Sequence, residues 1–84
     1  MLTRLSPEEV GDRGRALYQE RISDQVEKEH WGEFVLIDIE SGDYEVDQND
    51  VSAEERLIER RPGAVLYLMR VGGLPAWTLG GQVR

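Results

Sequence analysis

Apolar residues along the chain follow two periods. From Val10 they return at Leu17, Tyr18, Ile22 and Val26, at spacings that stack them on one helical face. Ser6-Pro7-Glu8-Glu9 supplies a start for that helix. Ser6 caps, Pro7 suits the first helical position, and Glu9 closes a capping box. Gly11 and Gly14 each weaken the helix by about 1 kcal/mol relative to alanine. Either the first turns fray, or Gly14 admits another element at close range. The helix is expected to end near Lys28, before Trp31-Gly32.

The second period is that of strands. Phe34 to Ile39 is a β-branched and apolar run, Glu40-Ser41-Gly42-Asp43 a tight turn, and Tyr44-Glu45-Val46 a returning strand. A two-residue loop at Ser41-Gly42 sets Ile39 opposite Tyr44 and Ile37 opposite Val46, which builds one apolar face. A three-residue loop would set Ile39 against Glu45, so the buried pattern selects the shorter loop.

A second helix starts at Asp50 or Ser52, where Ser52 and Glu55 form another possible capping box. Ala53 and Leu57 share its face, with Ile58 beside them, and Pro62-Gly63 stops it. Ala64 to Met69 reads as a third strand, Val71 to Pro75 as a turn, and Ala76 to Leu79 as a fourth strand. The order α-β-β-α-β-β, with a right-handed crossover, predicts an α+β fold. Its antiparallel four-stranded sheet has strand order 2-1-3-4, with both helices on one face. Residues 1–84 form one domain, with residues 1–5 and 80–84 expected to fray.

Composition narrows the chemistry. The 84 residues include no cysteine, which excludes disulfides, zinc–cysteine sites, iron–sulfur clusters and cysteine nucleophiles. No apolar run approaches a membrane span and no signal region is visible, so a cytoplasmic protein is expected. The net charge is −7. Residues 1–50 hold 14 acids and 5 bases, whereas residues 51–84 hold 3 acids and 5 bases. Nucleic-acid affinity rests on neutralising phosphates, so an acidic front half argues against it. Arg56, Arg60 and Arg61 are the only basic cluster, and the dipole at a helix C-terminus is sufficient reason for them.

Catalytic constellations are missing. His30, the lone histidine, stands at the break between helix and strand with no nucleophile motif around it. Asp47-Gln48-Asn49-Asp50 lacks the alternating ligands and turn glycine of a calcium loop. Gly72-Gly73 and Gly80-Gly81 belong to no strand–glycine-loop–helix unit. No cofactor or metal is expected.

Two features point to association. In the predicted register Asp38 faces Glu45 and Glu40 faces Asp43, and like charges opposite each other are destabilising. The four are a solvated hairpin tip, a docking surface for an Arg/Lys-rich partner or, as the remaining alternative, a divalent-cation site. In addition, the third strand is apolar on both faces, with Leu66 and Leu68 on one and Val65, Tyr67 and Met69 on the other. Phe34 and Leu36 lie away from Ile37 and Ile39 in the same manner. Two helices on one side would leave Phe34, Leu36 and either Tyr67 or Trp77 for a second copy or another protein, unless the first helix wraps round.

The segment Gly32 to Asp47, with Gly14-Arg15-Ala16-Leu17-Tyr18, Arg61-Pro62-Gly63-Ala64-Val65-Leu66-Tyr67 and Arg70-Val71-Gly72, resembles a family of short uncharacterised bacterial proteins common in cyanobacteria. The resemblance covers most of residues 14–81, and its motifs are turns and core strands. Members are often encoded beside a predicted retropepsin-like aspartic protease. The resemblance therefore implies an antitoxin-like or accessory role and offers no active site. The expected function is a non-enzymatic protein-interaction module. The alternative is a small-molecule or nucleotide-binding module in a groove beside Trp77, Tyr67 and His30.

Overall fold

The computed structural model describes residues 5–73. Helix α1 runs from Pro7 to His30, two residues further than expected, in three stretches. It is α-helical over Pro7–Leu17, π-helical over Tyr18–Ile22 and α-helical again over Ser23–His30. Both halves of the expected capping box are present: Glu9 N–H donates to Ser6 Oγ at 3.1 Å, and Ser6 N–H to Glu9 Oε1 at 2.8 Å. The π turn has a packing consequence. Residues four apart drift about 40° round an α-helix. The wider turn offsets that drift, so Tyr18, Ile22 and Val26 all stay buried against one surface.

Strands β1 (Phe34–Asp38), β2 (Tyr44–Asp47) and β3 (Leu66–Arg70) form an antiparallel sheet of order β2-β1-β3. Helix α2 (Asp50–Arg60) crosses from β2 to β3. Its cap is Asn49, whose Oδ1 accepts from the N–H groups of Val51 and Ser52, in place of the expected Ser52–Glu55 box.

Three expectations are corrected. Among the described residues the sheet is three-stranded, 2-1-3, and not four-stranded, 2-1-3-4; the segment assigned to a fourth strand, with Trp77, lies outside the described residues. The helices do not share a face. On one side Val35, Ile37, Met69 and Val71 pack with Tyr18, Ile22 and Val26 of α1. On the other, Leu36, Leu66 and Leu68 pack with Ala53 and Leu57 of α2. Strands apolar on both sides need a cover on each, and one helix per face supplies it.

The third correction is the hairpin register. Ile37 pairs with Tyr44 and Val35 with Val46, a slip of two residues from the expected pairing. Two residues preserve which face each side chain occupies, so the apolar face survives. Ile39 leaves the hairpin, is buried, and donates its N–H to Val65 O at 3.0 Å. The loop is closed by Gly42, at φ 83°, whose N–H donates to Asp38 O at 2.7 Å.

Candidate functional site

The register decides where the hairpin carboxylates go. Glu45 stands across from Leu36, and Asp38 is linked through its backbone N–H to Asp43 O, so the expected pairs Asp38–Glu45 and Glu40–Asp43 are not opposite one another. Asp38 is buried, and its carboxylate is an internal clip. Oδ1 accepts from Glu40 N–H at 3.1 Å and Val65 N–H at 3.2 Å, while Oδ2 accepts from Ser41 Oγ at 2.8 Å. Glu40 is exposed.

Asp43 and Glu45, with Asp47, face the arginines of α2 and its end. Arg56 donates from Nε to Glu45 at 2.7 Å, from Nη1 to Asp47 at 2.9 Å and from Nη2 to Val46 O at 3.1 Å. Arg60 bridges Glu45 and Asp43, and Arg61 Nε lies 3.3 Å from Asp43. The spacings match. Alternate strand residues advance about 6.8 Å and helix residues four apart about 6 Å. Carboxylates at every second strand position therefore meet arginines at every fourth helical one. Sequence reasoning assigned those arginines to the helix dipole and missed this pairing; the two matched periods were the available signal.

The electrostatics follow the contacts. At Asp43, partial burial favours the neutral acid. The hydrogen bond from Arg61 and the charge of Arg60 outweigh it and hold the carboxyl below its ordinary range. Asp47 is lowered by the Asn49 N–H and then by Arg56. Arg56 is raised by its bonds to Glu45 and Asp47.

The apolar candidates are not brought together. Leu36 is buried beneath α2, and Phe34 is half-buried, with the Arg70 guanidinium 4.3 Å from its ring centroid. Tyr67 lies on the opposite face, packed on Gly14, with its hydroxyl 3.4 Å from Arg15 Nη1. His30 stands beyond the other end of β1, with Nδ1 3.1 Å from Glu33 Oε1. Tyr67 and His30 thus face different surroundings.

Among the described residues, what remains open on the second face is a groove. Helix α2 packs on β2 and β1, and Leu66 and Leu68 of β3 are only half-buried beside it. Leu36, Leu66, Leu68, Asp50 and Glu54 line a cavity of about 200 Å³ there. Val51 and Ile58 are exposed to 55% and 40% on the outer surface of α2, among Glu54, Glu55, Arg56 and Glu59. Glu54 lines this outer surface as well as the groove. No helix among the described residues is long and apolar enough to cross a membrane. Comparison with family models, with curated proteins and with solved structures returned no match.

Proposed function

We propose that this chain is a non-enzymatic protein-interaction module that holds its partner in the groove between α2 and β3. The observation that carries the reading is the offset of α2. It covers Leu36 but leaves Leu66 and Leu68 half-buried beside Asp50 and Glu54, while Val51 and Ile58 are exposed on the outer side of Glu54. Half-buried apolar side chains gain free energy when a partner completes their burial, at about 25 cal/mol per Å². In this reading the hairpin carboxylates Asp43 and Glu45 brace the fold, Leu36 lines the groove, and Phe34, stacked with Arg70, is not part of its lining.

The resemblance to short bacterial proteins encoded beside a retropepsin-like protease supports an accessory or antitoxin-like role toward a neighbouring gene product. The module works in the cytosol, a compartment that suits a chain without cysteine.

Affinity capture from native lysate, followed by mass spectrometry, tests the reading when wild type is compared with Leu68→Thr and with the exposed Val51→Thr. A captured protein lost from both variants, with circular dichroism unchanged, is the expected result. Capture that is indifferent to both overturns the groove as the binding site.

A further inference from the structure

The two flanks of α2 carry opposite charge. Arg56 and Arg60 line the flank toward β2 and are engaged there by Glu45, Asp47 and Asp43. Asp50 and Glu54 line the flank toward β3, over the leucines, and no cation among the described residues pairs with either. Asp50 has a local reason to be acidic, since it sits in the first helical turn, where the dipole favours a negative charge. Glu54 lies a turn further along, beyond the reach of that effect.

Resting on the reading of the groove as a protein-binding site, we infer that its occupant is a short cationic and aliphatic segment of a different protein. Its apolar side chains lie on Leu36, Leu66 and Leu68, and a lysine or arginine sits between Asp50 and Glu54. A second copy of this chain is a poor occupant. It brings a net charge of −7 and the same acidic rim against itself. Anionic lipid and nucleic acid are repelled for the same reason. A partly apolar cleft with a carboxylate rim attracts and orients a basic ligand, and salt weakens that attraction. The reach is short, because 11 helical residues span about 16 Å and five strand residues about 17 Å.

The test uses the full-length, isotope-labelled chain and three synthetic peptides of equal length. One alternates leucine and lysine, one replaces lysine with glutamate, and one replaces leucine with serine. The leucine–lysine peptide is expected to shift the amide signals of Leu36, Glu54, Leu66 and Leu68, less so at high salt, while the other two leave them in place. Glu54→Gln should weaken that binding several-fold, whereas Glu20→Gln on α1 should not change it. Equal binding of the glutamate peptide overturns the inference, as do shifts spread evenly over the acidic surface. A concentration-dependent dimer in sedimentation that is broken by Val51→Thr also overturns it, in favour of self-association. The lysate capture separates this inference from the broader reading. A partner lost with Leu68→Thr but kept at full affinity by Glu54→Gln leaves the groove standing and removes the cationic segment. A partner kept by all these variants removes both.

Discussion

Gly14 lies directly beneath the ring of Tyr67: a Cβ on Gly14 would stand 2.2 Å from Tyr67 Cδ2 and 2.8 Å from its Cβ. Helix α1 crosses β3 at the one residue that lets the ring in. Gly14→Ala would ordinarily gain about 1 kcal/mol of helix propensity. Here the clash is with the inner part of a side chain held by the sheet, and overpacking of that kind costs typically about 1–3 kcal/mol. A net loss of stability is expected, read as a lower urea midpoint at unchanged slope. Gly11→Ala is the contrast. The nearest atoms to its Cβ would be those of the Arg15 guanidinium, the first at 3.2 Å, and that flexible end can move. Gly11→Ala should therefore raise the midpoint.

The close approach at Gly14 was legible as one of two readings of a glycine inside a helical pattern, and the structure selects it. The helices and the first three strands were legible for the same reason, because their signals are local: periodicity, caps and turn residues. Placement of the helices was not. An apolar set on both faces of β1 and β3 is equally consistent with one open face and with a helix on each, and no local signal separates the two. The hairpin register failed similarly. A slip of two residues keeps Ile37, Tyr44 and Val46 on one face, so face matching cannot detect it. The deciding groups were the Asp38 carboxylate and Ile39, whose partner Val65 is 26 positions away in the chain.

Asp38 should accordingly be among the more sensitive polar positions. Asp38→Ala leaves the Glu40 and Val65 N–H groups without their acceptor and frees the Ser41 hydroxyl. An unsatisfied buried donor costs about 1–3 kcal/mol, so a loss of about 2 kcal/mol or more is expected in urea denaturation. Asp38→Asn retains an oxygen for the two N–H groups and should recover most of it. Equal losses for both variants would mean that the clip acts through charge and not through its acceptors.

Tyr18 links α1 to the turn after β3. Its hydroxyl donates to Glu27 Oε2 and accepts from Gly72 N–H, each at 2.7 Å. Burial is the main reason its pKa is pushed up from 10.0 to about 12; the Gly72 N–H opposes the rise, and Glu27 adds to it. A folded value above the unfolded one means a contribution fully present below pH 10.0 and lost as pH rises toward about 12. Thermal melts should therefore show a steep alkaline fall in that interval. Tyr18→Phe should be less stable at neutral pH and show a shallower alkaline fall, and its phenolate absorbance titration should lack the component near 12.

The acid limb probes the opposite side of the sheet. Asp43 and Asp47 have folded pKa values below their ordinary 3.8, with Arg60 and Arg61 acting on the first, and the Asn49 N–H and Arg56 on the second. For a lowered folded value the sign reverses: the contribution is present above the unfolded pKa and lost as pH falls through the folded one. Wild type should hold its melting temperature down to about pH 4 and lose it steadily below. Asp43→Asn combined with Asp47→Asn should melt lower at neutral pH and change less in acid. Added salt should affect that variant less than wild type, because the arginine pairs are only partly buried and remain open to screening. The loss should also be local. These bonds fasten α2 to β2, whereas α1 is held by the larger apolar cluster around Ile22, Val35 and Ile37. Amide exchange just above the acid transition should therefore quicken at Ala53 and Leu57 before it does at Ile22 and Val26. Simultaneous release of both helices would show that the arginine lattice carries no separate share in holding α2.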